Sequence, residues 1–173
     1  VMGLIVHQGR LYAGTSTYDW TRVFNGQYEP ARVYRYEGGT QWTDCGQPSE
    51  MLRINCMATY GGKLYAGGDR GLPPPGERQW TGRPYRVYRF DGGTTWSVAG
   101  ELPAERPRNC YPHAMAVHDG KLWVGYPNVW SFDGARWEFA GTPRGDTPED
   151  QLPHLQVHSL EVYRGQLLAG DHD

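Results

Sequence analysis

The sequence predicts an all-β fold made of four-stranded antiparallel units, because two short patterns alternate along its 173 residues. The first is a hairpin with a central Gly and Leu-x-x-Gly in its second strand, at residues 6–14, 59–67, 117–125 and 162–170. The second is an aromatic strand, a Gly turn and a Trp, at residues 32–42, 86–96 and 128–137. Repeats of a fixed order set the architecture of a whole chain. Four strands per unit are typical of the blades of a β-propeller.

Each hairpin has Gly at the second central position of its turn: Gln8-Gly9, Gly61-Gly62, Asp119-Gly120 and Arg164-Gly165. This pattern predicts type I′ turns, which need positive φ at both central residues. The flanking residues alternate as half-buried strands do. We name the strands of a unit a, b, c and d, which in the second unit cover residues 56–60, 64–67, 86–91 and 95–99. No helix is predicted, because no window shows the 3.6-residue apolar period.

The units predict one domain over residues 1–173, with blades at about 1–45, 51–100 and 108–140 and a partial blade at 156–173. A propeller is a closed ring, and three and a half blades leave sheet edges exposed. We therefore expect the remainder of the ring to come from the same longer chain or from another subunit, and we favour the longer chain.

Composition narrows the classes of partner. A net charge of −2 provides no excess of basic residues, so nucleic acid is not an expected partner. No apolar run approaches the roughly 20 residues that span a bilayer. The three cysteines, Cys45, Cys56 and Cys110, allow either a Cys45–Cys56 bridge or three thiols. No cofactor is expected; the compartment stays open, with an extracellular or cell-surface location slightly favoured.

Two families resemble these units. The order Leu-Tyr-Ala-Gly-Gly (64–68), Val-Tyr-Arg-Phe-Asp (87–91) and Trp96 resembles a kelch-type blade, and the likeness extends over essentially the whole chain. Residues 89–96 are also similar to the Asp-box of sialidase-type propellers, Ser-x-Asp-x-Gly-x-Thr-Trp, without its leading Ser. The third unit supplies that Ser as Ser131 but has a turn one residue shorter. The likeness implies that the Asp accepts backbone hydrogen bonds and that the Trp packs between sheets.

Large aromatic residues recur at matching positions of strands c and d. We expect them to pack between neighbouring blades, since large rings supply much of the apolar area that is buried there. They are Tyr34, Tyr36, Trp42, Tyr88, Phe90, Trp96, Trp130, Phe132 and Trp137.

The b–c loops of units one and two, residues 15–31 and 68–85, are long and carry aromatic and arginine residues. Trp20 with Arg22 lies in the first loop, and Trp80 with Arg83 lies in the second. Such rings and planar guanidinium groups suit a sugar or a partner side chain. The alternative is that each Trp caps its own blade.

Polar residues gather at the start of strand a, which lines the channel of a propeller. Alignment on the strand b leucines makes three of them equivalent: Asn55, His113 and His158. Charged residues flank them on the same face: Arg53, Arg108, Asp69 and Asp171. This set is a candidate ligand-binding site. Two histidines on neighbouring blades are a weak basis for a metal site, and the set could instead join loops by hydrogen bonds.

Glu161 stands where the other units have Ala58 and Ala116. A carboxylate at a buried position is costly unless it is paired, so Glu161 would either bind a loop arginine or act as a catalytic acid.

We favour a non-catalytic propeller that recognises a glycan or a protein through its loops. One alternative is a sialidase-like glycoside hydrolase, which needs a paired acid and nucleophile where two carboxylates do the chemistry. The sialidase likeness implies three convergent arginines and a Tyr with a partnering Glu, a set that these repeats do not supply. The other alternative is a structural assembly subunit whose loops contact its neighbours.

Overall fold

The computed structural model of the chain describes residues 1–17, 19–49, 51–69, 84–103, 111–143 and 157–171. In these ranges the chain is almost entirely β-strand, arranged as three four-stranded antiparallel sheets and a two-stranded sheet. The first sheet contains β1 (Gly3–His7), β2 (Arg10–Gly14), β3 (Val33–Gly38) and β4 (Gln41–Asp44). The second contains β5 (Ile54–Tyr60), β6 (Lys63–Gly68), β7 (Tyr85–Gly92) and β8 (Thr95–Leu102).

The remaining strands form the third and fourth units. The third sheet contains β9 (Ala114–His118), β10 (Lys121–Gly125), β11 (Val129–Phe132) and β12 (Trp137–Gly141). The fourth unit contains β13 (Val157–Tyr163) and β14 (Gln166–Asp171). Strand order follows chain order in every sheet, as predicted for strands a to d.

Successive sheets are joined through their first strands, since β1 contacts β5, β5 contacts β9 and β9 contacts β13. One apolar cluster lies between each pair of neighbouring sheets. Inner strands side by side with sheets radiating from them are the arrangement of propeller blades. The predicted fold is confirmed as three complete blades and a half blade.

The four hairpin turns have the backbone that was predicted from Gly at their second central position. Both central residues have positive φ, for example 49° and 74° at Gln8-Gly9 and 47° and 70° at Asp119-Gly120. This is the type I′ combination, whose twist matches that of the flanking strands. The turn chemistry thus fixes the register of each a–b pair.

Aromatic packing between blades is confirmed for the second and third sheets. Tyr88, Phe90 and Trp96 pack in the cluster against the first sheet, and their third-sheet equivalents, Trp130, Phe132 and Trp137, pack in the next cluster. In the first sheet this prediction is wrong for Tyr36 and Trp42, which are 36% and 43% exposed. The reason is that no sheet in the described ranges covers that side of the first sheet.

One short helix, α1 (Trp20–Phe24), corrects the prediction of no helix. The Asp19 side chain caps it by accepting a hydrogen bond from the Arg22 amide at 3.1 Å. Capping by an Asp oxygen satisfies one of the free amides of a first turn. Five residues are too few to show an apolar period, so the pattern could not reveal this turn.

Cys45 and Cys56 are free buried thiols, so of the two possibilities for these residues the bridge is excluded. Burial raises the pKa of the Cys56 thiol, which keeps it protonated and unreactive. Cys110 lies outside the described residues. No helix in the part of the chain described here has the length and apolar character to cross a membrane.

The burial of His7 predicts that stability depends on pH. His7 is 5% exposed on β1, and its Nδ1 lies 3.1 Å from Thr59 Oγ1. Burial, together with the charge of Lys63, lowers the pKa of His7 from its ordinary 6.5. Between pH 6.5 and the lowered pKa, the unfolded chain binds more protons at His7 than the folded chain does. The stabilisation that is present above pH 6.5 is therefore lost as the pH falls towards the lowered pKa.

We expect the urea midpoint of unfolding to decrease as the pH is lowered from 7.5 to 5.5, and to decrease less in His7→Gln. Unfolding followed by circular dichroism at several pH values measures both slopes. Identical slopes for the two proteins would show that His7 is not the group responsible.

Candidate functional site

The inner strands begin with the three equivalent polar residues at one end of the sheets. Asn55 and His158 are the extra residues of β-bulges in β5 and β13. His113 immediately precedes β9, and its amide donates to the Gly125 carbonyl at 3.0 Å. A bulge bends a strand and redirects its side chain. The local backbone therefore turns Asn55 and His158 out of the regular alternation of their strands.

Four of the side chains at this end form a continuous stack that crosses three units. The Arg53 guanidinium carbon lies 5.4 Å from the centroid of the Tyr111 ring. The Tyr111 ring lies 4.6 Å from His113, which stacks on His158 at 4.2 Å and 27° between ring planes. We name Arg53, Tyr111, His113 and His158 the stacked array. The rings within the stack pack against one another, and His158 at its end is exposed.

Arg53 is held in position by Asp69. Asp69 Oδ2 accepts from Arg53 Nε at 2.9 Å, and Asp69 Oδ1 accepts from the Leu52 amide at 3.0 Å. Arg53 Nη2 also donates to the Tyr111 hydroxyl at 2.9 Å. Because both charges are half-buried or buried and face each other, the pair orients the array and adds no net charge to it.

Asn55 offers a hydrogen-bond donor at the same end. Its Nδ2 is buried and has no hydrogen-bond partner among the described residues. An unsatisfied buried donor costs roughly 1–3 kcal/mol, which a ligand acceptor would relieve.

A cavity of about 250 Å³ lies in the b–c loop of the first unit. We name it the loop cavity; it is lined by residues 15–17 and 27–32 together with Asp19, Arg22 and Tyr34. Its lining combines two carboxylates and two guanidinium groups with amide, hydroxyl and phenol groups. Pockets for drug-sized ligands start at about 300 Å³, so the loop cavity suits a compact polar ligand.

Backbone pairing places the loop cavity next to the stacked array. Ser16 forms an isolated antiparallel bridge with Arg53. The Thr17 amide donates to the Leu52 carbonyl at 2.8 Å, and the Ile54 amide donates to the Thr15 carbonyl at 3.0 Å. Ser16 lines the cavity and Arg53 begins the array, so the two form one surface, which we name the loop face.

The structure brings together most of the residues that the sequence predicted for this face. Arg53, Asp69, His113 and His158 lie in or beside the stacked array, and Arg22 lines the loop cavity. Trp20 begins α1, and its side chain is outside the description. Trp80, Arg83 and Arg108 lie outside the described residues. No metal site is formed by the His, Cys, Asp and Glu residues that the structure describes.

Tyr111 is the residue that sequence reasoning missed. The alignment that makes Asn55 equivalent to His113 also makes Arg53 equivalent to Tyr111. That signal was present in the repeats, but a Tyr in a loop full of Pro and Arg gives no separate indication of function.

Glu161 does not occupy the buried position that its repeat register predicted. Ala58 is 4% exposed because the third sheet covers it, whereas Glu161 is exposed. Its Oε1 accepts from the neighbouring Val162 amide at 3.3 Å. The carboxylate is therefore solvated and lies on the side of β13 that faces away from the third sheet.

The aspartates of the c–d turns have local partners. Asp133 Oδ1 accepts from the Ala135 and Arg136 amides at 2.8 Å each, and these bonds lower the pKa of Asp133. The nearby Ser97 hydroxyl and the Arg89 guanidinium, whose Nε donates to Asp91 Oδ1 at 2.9 Å, lower the pKa of Asp91. Both carboxylates hold turns at the opposite end of the sheets from the loop face.

No protein-family model matches the chain, and no curated protein matches it. The kelch-type and Asp-box likenesses stay predictions.

Proposed function

We propose that this chain is a non-catalytic binding module that recognises a glycan or a protein through the loop face. The observation that carries the proposal is the stacked array, in which side chains from three successive units meet at the start of the inner strands. An array fixed by rigid blades is preorganised, so little conformational entropy is lost when a ligand binds.

A glycan has better support than a protein. The loop cavity is small and polar, which suits one sugar residue whose hydroxyls need donors and acceptors together. Arg22 and Asp19 supply both kinds of group there. His158 supplies an exposed ring at the end of the stacked array opposite Arg53. A flat ring can stack on the apolar face of a further sugar.

A hydrolase of the sialidase type has less support. Glu161 was the acid that the sequence suggested for it, and its carboxylate is exposed on β13 and bonded to its own neighbour. Asp69 is occupied by Arg53 and the Leu52 amide. Neither carboxylate lines the loop cavity, whereas a two-carboxylate mechanism needs its pair to face each other across a pocket.

Binding to a glycan microarray tests the proposal with surface variants. We expect Arg22→Ala and His158→Ala each to weaken binding about tenfold or more, which corresponds to roughly 1.4 kcal/mol of lost interaction. Both side chains are exposed, so folding should be preserved, and circular dichroism checks it.

Glu161→Gln is the matched control and should bind as the unaltered chain does. Binding that survives Arg22→Ala and His158→Ala together would contradict the proposal. Turnover of an aryl glycoside that is lost in Glu161→Gln would establish the hydrolase instead.

A further inference from the structure

The first sheet exposes an apolar side at positions that are buried or half-buried in the other units. Leu4 on β1 is 63% exposed, whereas its equivalents Met57 and Leu160 are 9% and 8% exposed. On strand c, Tyr36 is 36% exposed and its equivalent Phe132 is 7% exposed. The same sequence pattern thus meets two environments, covered in later units and open in the first.

We name the open side the first-sheet face and define it by Leu4, Tyr34, Tyr36 and Trp42. Tyr36 and Trp42 contact each other with ring centroids 5.1 Å apart. Exposed apolar side chains that contact one another mark interaction surfaces more often than solitary ones do.

The covered equivalents show what such a face packs against. Met57 packs with Tyr12 of the preceding sheet, and Met115 packs with Tyr65 of the preceding sheet. Leu160 packs beside Trp123 in the third cluster. The same seam therefore closes three times along the chain, each time with a large ring from the second strand of the preceding sheet.

A tryptophan hydrogen bond completes two of these seams. Trp96 Nε1 donates to the Cys45 carbonyl at 2.8 Å, and Trp137 Nε1 donates to the Ala99 carbonyl at 3.2 Å. Cys45 and Ala99 stand at the same place in their units. Trp42 is the equivalent donor on the first-sheet face and is 43% exposed.

We propose that the first-sheet face is the docking surface for one further four-stranded blade of the same repeat type. That blade presents a ring on its second strand to Leu4 and a fourth-strand carbonyl to Trp42 Nε1. A second copy of this chain fits less well. Its exposed end, β13 with β14, places Leu168 opposite Leu4 but has no fourth strand in the described residues to accept from Trp42.

The test adds a blade of known sequence to the full chain. A copy of residues 51–111 is fused directly before Val1. Leu11 and Leu122 are 111 residues apart, so the copy connects to β1 with the length that separates β8 from β9. Maleimide labelling of Leu4→Cys is then compared with and without the added blade. Cys45 and Cys56 are 1% and 6% exposed, and Cys110 is replaced by Ser throughout.

We expect Leu4→Cys to label at least about tenfold more slowly in the fused protein. Labelling there requires the added blade to open away from the first-sheet face. Leu168→Cys is the matched control, since Leu168 is 49% exposed at the other end of the chain, and its rate should not change. Hydrogen exchange of residues 3–7 in the unsubstituted proteins gives the same comparison if a variant folds poorly.

Equal labelling of Leu4→Cys in both proteins, together with equal exchange of residues 3–7, would overturn the proposal. A second copy would be identified as the occupant if Leu4→Cys and Leu168→Cys both label slowly in the unfused chain, and more slowly at higher protein concentration. That result would also overturn the proposal.

Discussion

Leu122→Ala should lower the free energy of unfolding by about 2–5 kcal/mol. Leu122 is the strand b leucine of the third hairpin and is fully buried. It packs with Tyr65 and Val87 of the second sheet and with Phe132 of its own. Truncation removes apolar burial and leaves a cavity at the seam between two blades, which the rigid sheets cannot close.

Leu167→Ala is the matched control, because Leu167 has the same place in the fourth unit but is only partly buried. We expect a smaller loss there. Urea unfolding followed by tryptophan fluorescence measures the loss in both variants. We expect the midpoint to decrease while the dependence of the free energy of unfolding on urea concentration stays the same. Equal losses for the two leucines would mean that burial between blades is not what the repeated leucine provides.

Gly125→Ala should cost about 1–3 kcal/mol by overpacking. A Cβ at Gly125 would lie 2.7 Å from Val157 Cγ1 and 3.0 Å from the Val157 carbonyl oxygen. The same Gly in earlier hairpins approaches the next inner strand, since a Cβ at Gly14 would lie 2.7 Å from Ile54 Cγ2. The glycine that ends each Leu-x-x-Gly pattern therefore makes room for the following blade.

Gly170→Ala provides the control for this prediction. Gly170 is the equivalent residue of the fourth unit, and a Cβ there meets the hydroxyl of Ser159, which can rotate away. We expect little change in the thermal midpoint of Gly170→Ala and a clear fall in that of Gly125→Ala. If the two variants fell equally, the close approach of the inner strands would not be the reason for the glycine.

Local chemistry explains why so much of the fold could be predicted. Type I′ turns at Gln8-Gly9 and its equivalents depend on two residues each, and strand alternation depends on neighbours in sequence. The helix α1 was missed because one turn capped by Asp19 has no period. The exposure of Trp42 was missed because burial depends on whether another sheet packs there, which no local pattern reports.

Only those residues of the candidate site that lie within the repeats could be predicted, because the repeats can be aligned with one another. Aligning hairpins placed His113 and His158 together, and they stack at 4.2 Å. The loop cavity could not be predicted, because it depends on pairing between Ser16 and Arg53, which lie in different units. The predicted burial of Glu161 was wrong for a related reason. The repeat register places Glu161 on its strand, but it does not show whether a sheet covers that side, and none does among the described residues.

Recognition through the loop face is the central claim, and NMR of the histidine side chains tests it most directly. The probe is the glycan that gives the strongest microarray signal, titrated into the chain with imidazole nitrogens labelled. We predict that the ring signals of His113 and His158 shift with saturation, while those of His7 and His118, which are away from the loop face, do not. Shifts at His7 or His118 with none at His113 and His158 would contradict the claim.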